Sequence, residues 1–257
     1  MRRLFSMLLA TAFAAAQAIQ SGNATKQSSA LQKSALPPHA RALLDSAETR
    51  YTTPGKERLT LNGLVTDSRG NTNVKVTLEL PNSARYEETS GPGKSVVFDG
   101  SKSAASVNPG DSEYDLLESL YADSADYYFY SLSTGSANRF LGNRFRTDDG
   151  KNPAYAGPWL SITELVTPLQ FRSDKAVRQK FYLFDTATKL LTSVRYELRK
   201  GATATPVEVK LSGHTKVDGH MVPGTVIRYE GGQQTLQYRI INAAFSPKAA
   251  DAAFTKP

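Results

Sequence analysis

Four successive segments toward the C-terminal end of the chain alternate apolar and polar residues with a period of two. Val194, Tyr196 and Leu198 alternate with Arg195, Glu197 and Arg199. Val207, Val209 and Leu211 alternate with Glu208, Lys210 and Ser212, and Ile227 and Tyr229 with Val226, Arg228 and Glu230. Leu236, Tyr238 and Ile240 alternate with Gln237, Arg239 and Ile241. Successive side chains of a strand point to opposite faces, so the spacing predicts a sheet with one apolar face and one wet face. What covers the apolar face decides its role. Tightly packed helices would make it a core, and loosely packed ones would leave a site for an apolar ligand.

The other end of the chain reads differently. Met1-Arg2-Arg3 precedes an uncharged stretch from Leu4 to Ala16, and Ala16-Gln17-Ala18 fits a small-x-small cleavage site. This pattern predicts a secretory signal peptide over residues 1–18. The apolar stretch is shorter than the roughly 20 residues of a membrane span. Residues 19–36, rich in Ser, Ala, Gln and Lys, read as a disordered leader. The remainder, residues 37–257, reads as one domain of a periplasmic or secreted protein. The absence of cysteine rules out disulfides, thiolate nucleophiles and thiolate metal sites, and gives no residue for an N-terminal lipid anchor. Such a chain rests on its core alone, and about 200 ordered residues suffice for that. The net charge of +7 is scattered along the sequence, as on an ordinary basic surface.

Within the domain, residues 39–51 follow Pro37-Pro38 and predict a short helix. Val74, Val76, Leu78 and Leu80 alternate with Lys75, Thr77 and Glu79 as a strand. A strand before it, at Leu59, Leu61 and Val65, ends in the turn Asp67-Ser68-Arg69-Gly70-Asn71. Residues 85–88 and 95–98 predict two more strands. Residues 112–132 predict a helix with Leu116, Leu117, Leu120 and Tyr121 on one side. Residues 135–157 read as a long loop, and residues 159–171 as a second helix with Trp159, Ile162, Leu165, Val166 and Leu169 along one face. Residues 177–184 and the four segments above close the chain, with Gly231-Gly232 as a tight hairpin. Sequential strands joined by short turns predict an antiparallel meander, which curls toward a barrel when strongly twisted.

Motifs for chemistry are weak. Gly91-Pro92-Gly93-Lys94-Ser95 has the end of a phosphate loop, but Glu88 stands where the first glycine belongs and a strand follows instead of a helix. His214 and His220 flank a Gly-bounded turn and lack the further ligands of a zinc site. Asp148-Asp149-Gly150 lacks the alternating oxygens of a calcium loop. No Gly-x-Ser-x-Gly elbow occurs. Arg139, Arg144 and Arg146 beside Phe140 and Phe145 have the composition of a nucleic-acid patch, but export argues for a solvated loop instead. The expectation is therefore neither enzyme nor metal protein, without cofactor and without nucleic acid. Tyr196, Tyr229 and Tyr238 share the predicted apolar face, and three hydroxyls there suit a half-wet cleft better than a sealed core.

The order of several short motifs resembles the LolA/LolB family of periplasmic lipoprotein carriers and receptors. These are Val74 to Leu80 followed by Pro81-Asn82 and aromatic Tyr86, then Val96-Val97-Phe98-Asp99-Gly100, then the closing Ala252-Ala253-Phe254-Thr255-Lys256-Pro257. The likeness spans roughly residues 56–257. It implies an α+β fold: a curved antiparallel β-sheet, an unclosed half-barrel, with helices covering the concave face as a lid over acyl chains. Leu80 stands where the family's carrier has a lid-latching arginine. On this reading Leu78, Val209, Ile227, Tyr196, Tyr229 and Tyr238 line an apolar cleft, and Leu116, Leu120 and Trp159 touch it from the lid. The expected partner of the monomer is a lipid or acylated lipoprotein, with envelope membrane proteins as further partners. The rival readings are an envelope interaction or sensor module on the same fold, and a hydrolase of envelope material.

Overall fold

Alternating Val, Leu and Tyr side chains favour a pleated, half-buried surface, and strands dominate the molecule. The computed structural model describes residues 38–48, 51, 57–80, 83–90, 93–98, 103–105, 112–125, 127–128, 137–146, 153–166, 176–200, 203–248 and 252–255. The proposed signal peptide and leader, the Pro81-Asn82 and Asp99-Gly100 steps and the Asp148-Asp149-Gly150 segment lie outside these residues. Helix α1 is Pro38–Glu48. The first strands are β1 (Glu57–Asp67), β2 (Gly70–Glu79), β3 (Ser83–Glu88), β4 (Ser95–Phe98) and β5 (Ser103–Ala105). Helix α2, Ser112–Ala122, comes next. It is followed by β6 (Ala137–Arg146), β7 (Pro153–Val166), β8 (Ala176–Phe184), β9 (Leu191–Lys200) and β10 (Thr203–Ser212). A small hairpin of β11 (Thr215–Val217) and β12 (His220–Val222) precedes β13 (Thr225–Glu230) and β14 (Gln233–Pro247), and a 3₁₀ turn spans Ala252–Phe254.

Twelve of these strands form one antiparallel sheet in the order β5-β4-β3-β2-β1-β14-β13-β10-β9-β8-β7-β6. Every hairpin neighbour pairs, and the long β14 returns to lie beside β1, joining the two halves. The sheet has edges at β5 and β6 and is not a closed barrel. One face carries the core: Leu59, Leu61 and Val65 of β1, Val74, Val76 and Leu78 of β2, and Leu236 and Tyr238 of β14 are all buried. On the far side Val209 of β10 pairs with Val194 of β9, which pairs with Tyr182 of β8, and all three are buried. Helix α2 adds Leu116, Leu117, Leu120 and Tyr121 to the same cluster, and Leu43 of α1 and Tyr51 join it.

The opposite face is partly closed by the C-terminal segment. The Arg58 guanidinium lies 5.5 Å from the Phe254 ring centre and pairs with buried Glu79. Arg85 donates to the carbonyl oxygen of Ala253 at 3.2 Å.

Two expectations fail in the middle of the chain. Within the expected loop, residues 137–146 form β6 and residues 153–157 begin β7, and residues 159–166 of the expected helix are strand, because β7 runs through Val166. The apolar residues of that stretch fit a 3.6 period, yet β7 lies between β6 and β8 and is paired on both sides. Ladder hydrogen bonds to two neighbours override a local helical pattern.

A bulge sets the local geometry where β1 meets β14. Asn62 pairs with Asn242 but Gly63 with Ile240, so Ile241 is the extra residue on β14. A bulge leaves its extra residue unpaired, and the Ile241 side chain there is 68 % exposed. At Gly63 a Cβ would meet the carbonyl oxygen of Arg239 and come within 2.7 Å of the Tyr238 ring. Glycine is required there by close approach. Gly63→Ala is expected to lower stability by about 1–3 kcal/mol through overpacking, read as a shift in the denaturant midpoint. An unchanged midpoint would mean that β14 yields at no cost.

Candidate functional site

Helix α2 is amphipathic in an uncommon way. Leu116, Leu117 and Leu120 face the sheet, and Asp123, seven residues after Leu116, continues that face with a carboxylate. The Asp123 amide donates to the Ser119 carbonyl at 2.9 Å, which extends the helical turn past Ala122. The helix touches β3 and β4, and Asp123 reaches Arg228 on β13, four strand spacings from β3. Four spacings are about 19 Å, and an eleven-residue helix is about 17 Å long. The helix is thus long enough to bridge that width with its side chains.

The carboxylate at its end is held by donors from three elements. Asp123 Oδ1 accepts from the Tyr128 hydroxyl at 2.7 Å and from the Tyr196 hydroxyl on β9 at 3.0 Å. Asp123 Oδ2 pairs with Arg228 Nη1. The same Nη1 donates to the Tyr196 oxygen at 2.9 Å, and Arg228 Nε donates to Glu230 at 2.8 Å. Burial pulls the guanidinium's pKa down, but Asp123, Tyr196 and Glu230 outweigh it and hold the pKa above the ordinary arginine value. Burial, followed by the Asp123 charge, pushes the Tyr128 phenol well above its usual range. Arg228 is therefore a charged group inside an apolar layer, and its neutralisation comes mainly from a helix that follows β5 in the chain. Removing one partner of such a pair costs about 3–5 kcal/mol, because the other charge stays buried.

A second cation stands close by. Lys180 on β8 is 1 % exposed, and its ammonium lies 5.4, 5.1 and 5.3 Å from the ring centres of Tyr127, Tyr128 and Tyr196. Cation–π attraction strengthens when the charge is desolvated. Tyr128 also meets Tyr182 edge-on at 5.7 Å. Residues 112–128 thus contact the buried face from β4 to β8.

Beneath the end of α2 lies a small cavity of about 20 Å³, walled by Leu59, Leu61, Leu120, Val226, Leu236 and Tyr238. It holds about one water molecule and no acyl chain. The Tyr238 hydroxyl is buried and has no hydrogen-bond partner among the described residues, and burial raises its pKa above the usual range.

The residues expected to line a cleft divide between the two faces. Leu78, Val209, Tyr196 and Tyr238 lie in the buried cluster together with Leu116 and Leu120. Ile227 and Tyr229 do not: β13 buries Val226 and Arg228 instead. Ile227 pairs with Lys210 and Tyr229 with Glu208, and the Lys210 ammonium sits 4.9 Å from the Tyr229 ring centre on the outer face. Val226 and Ile227 are similarly apolar, but Tyr229 set against Arg228 makes composition favour the opposite phase, and the ion pair selects the one that buries the arginine. Trp159 stands in β7 opposite Leu183, with its ring 5.8 Å from Phe181. Leu183 and Phe181 alternate with Lys180, Tyr182 and Phe184, so Trp159 belongs to the other face and to no lid. Asp123, Lys180 and Arg228 are missed by the pattern reading. Their signal is a complementary pair, an acid on the apolar side of a helix and an arginine breaking one phase of a strand.

His220 serves the fold. His220 Nε2 lies 3.1 Å from Glu57 Oε1, and its ring stacks 4.4 Å from Phe245, which ties the β11–β12 hairpin to β1 and β14. Among the described residues no group of three His, Asp or Glu could hold a metal, and no helix is long and apolar enough to cross a membrane.

No family model matches the chain, and neither does any curated protein. Solved structures do match. A LolA superfamily protein from Nitrosomonas europaea superposes with a TM-score of 0.51 at 10 % identity, over 84 % of this chain and 97 % of that one. A domain assigned as an outer-membrane lipoprotein-sorting protein from Vibrio parahaemolyticus gives 0.45 at 10 % identity, over 83 % and 95 %. A DUF1329 family protein from Desulfovibrio piger gives 0.44 at 10 % identity, over 83 % and 96 %. The Nitrosomonas superposition, together with the open antiparallel sheet joined through β1 and β14, identifies the fold of this chain as that of the LolA superfamily.

Proposed function

We propose that this protein binds an acyl chain, as a free lipid or on a lipoprotein, against the buried face of its sheet in the cell envelope, and that residues 112–128 form the lid that yields to it. The observation that supports this most directly is the mixed character of the lid contact. Apolar side chains of α2 rest on an apolar face, and a buried polar cluster fastens the helix end at Asp123. A sealed core gains nothing from a buried ion pair, since an apolar replacement is often as stable or more so. A fastening that must release has a use for it. The superfamily fold and the expected export signal agree with this reading. Binding needs no catalytic group, no cofactor and no second copy.

The magnitudes are compatible. The cavity present is too small for a chain, so a ligand has to displace the helix. Exposing Leu116, Leu117, Leu120 and Tyr121 costs about 1.5–3 kcal/mol each, roughly 6–12 kcal/mol together. A chain of about 15 methylenes, at about 0.8 kcal/mol each, returns roughly 12 kcal/mol. For the apolar contacts alone, before the ionic contact at Asp123 is counted, the ligand thus replaces the helix at little net cost. Leu80 leaves the family's latch position apolar, and Arg228 supplies a latch from the other half of the sheet.

The first test is native mass spectrometry of residues 19–257 purified from the periplasm without detergent. A bound mass that organic extraction identifies as lipid is expected. An apo mass together with no enhancement of a fluorescent fatty-acid probe would sink the proposal and favour an interaction module. Leu120→Ala should speed uptake of that probe while lowering stability by about 2–5 kcal/mol; loss of stability with unaltered uptake would mark α2 as fixed core. The two faces of β13 give a further test. Val226→Glu is expected to abolish probe uptake and Ile227→Glu to leave it near wild type, and the reverse ranking would refute the assigned face.

A further inference from the structure

We infer that the acyl ligand carries an anionic head group, a carboxylate or a phosphate, and that Asp123 occupies the head-group position while helix α2 is down. This rests on the acyl-binding reading above and names the ligand's polar end. It follows from how the polar cluster is divided between two parts of the molecule. Asp123 and Tyr128 belong to the lid segment. Arg228, Tyr196 and Lys180 belong to β13, β9 and β8. The sheet thus presents a guanidinium and a phenol hydroxyl that converge on one carboxylate, and that carboxylate is attached to the part that moves. A lipid carboxylate offers the same acceptor atoms and charge, and a lipid phosphate offers acceptor oxygens and at least the same negative charge.

Lifting the lid affects the two halves unequally. Asp123 would pass into water, where a carboxylate is well solvated. Arg228 would remain on β13 among Val209 and Leu236, its cross-strand partners. Glu230 still accepts from Nε, but its side chain is 31 % exposed and faces one edge of the guanidinium only. A buried cation that loses its anion is strongly destabilised. An anionic head entering the position that Asp123 leaves restores the neutralisation, and a neutral or cationic head does not. Two further observations fit. Lys180 places a second positive charge on the same face, beside Tyr196. The Tyr238 hydroxyl, buried and without a hydrogen-bond partner among the described residues, lines the same cavity as Arg228 and Asp123 and offers a donor to the incoming group.

The experiment titrates the full mature chain, by calorimetry and native mass spectrometry, with probes that share a twelve-carbon tail: laurate, dodecyl phosphate, 1-dodecanol and dodecylammonium, with inorganic phosphate alone as the tailless control. Laurate and dodecyl phosphate are expected to bind at least about tenfold tighter than dodecanol, as a charge-assisted hydrogen-bond pair warrants. Dodecylammonium should bind most weakly and inorganic phosphate not detectably. Equal affinity for laurate and dodecanol would overturn the head-group assignment and leave acyl binding standing. Failure of every twelve-carbon probe would overturn acyl binding and this inference with it. Inorganic phosphate binding as tightly as dodecyl phosphate would also overturn it, since the site would then serve a soluble anion. The variant is Arg228→Met combined with Asp123→Leu. Replacing both charges with apolar groups is commonly tolerated, and a cooperative melt confirms folding. Its ratio of laurate to dodecanol affinity should fall to about one, and a ratio equal to the wild type's would refute the role of Arg228.

Discussion

A guanidinium inside an apolar layer is the constraint on which the rest of this structure depends. Arg228 sits on β13 between rows of Val and Leu, and an unpaired ion there would cost several kilocalories per mole. Among the described residues of the sheet, Glu230 at the layer's margin is the arginine's ionic partner, with the Tyr196 hydroxyl beside it. The remaining neutralisation arrives from the end of α2, 105 residues earlier in the chain. That demand fixes the position of the helix more tightly than its leucines do. Apolar contacts tolerate sliding, whereas a carboxylate holding Arg228, Tyr196 and Tyr128 together allows one register. The ion pair therefore specifies where α2 lies, and the leucines supply most of the free energy of holding it.

The same interaction explains a local choice of strand phase. In Thr225-Val226-Ile227-Arg228-Tyr229-Glu230 the outward phase carries Ile227 and Tyr229, by composition the more apolar pair. Burying it would have pointed Arg228 to solvent, and the sequence alone favours that solution. The structure takes the other, because Asp123 repays the desolvation of Arg228 and Lys210 gives Tyr229 a cation on the outer face. A bulge beside it, where Arg228 pairs with Leu236 and Tyr229 with Gln234, fits the strand to β14 in this phase.

How much was legible follows from which interactions are local. Strands β1, β2, β9, β10 and β14 read directly from their period of two, because apolar and polar residues alternate along each, although Thr77 and Glu79 on the polar side of β2 are themselves buried. The hairpins at Asp67-Ser68-Arg69-Gly70 and Gly231-Gly232 read from turn chemistry; Gly231 and Gly232 have φ of 57° and 83°, which few other residues adopt. Strand β7 was not legible. Its apolar residues satisfy a helical period, and what makes it a strand is pairing with β6 and β8, neither of which adjoins it through a recognisable tight turn. Of the candidate site, the apolar floor at Leu78, Val209, Tyr196 and Tyr238 was visible as pattern. The polar cluster was not, since Asp123, Lys180 and Arg228 each look like surface residues until the fold brings them together.

The position of the cluster bears on how a lid could open. Residues 112–128 lie across strands from both sides of the β1–β14 junction, with β3 and β4 on one side and β13, β9 and β8 on the other. The contacts at the first end are apolar, and those at the second are ionic and aromatic. Apolar contacts lose free energy gradually as area is exposed, whereas the ion pair is lost within a few ångströms, where the Coulomb term falls and water enters. An opening that began at the β3–β4 end would leave the Asp123 anchor in place and let the helix pivot on it. An opening that began at Asp123 would have to meet the full cost of the buried charge at the outset. For the proposed acyl ligand, the low-energy route would thus start at the leucines, admit an apolar tail first and break the ionic contact last, when a group able to replace the carboxylate is already beside it.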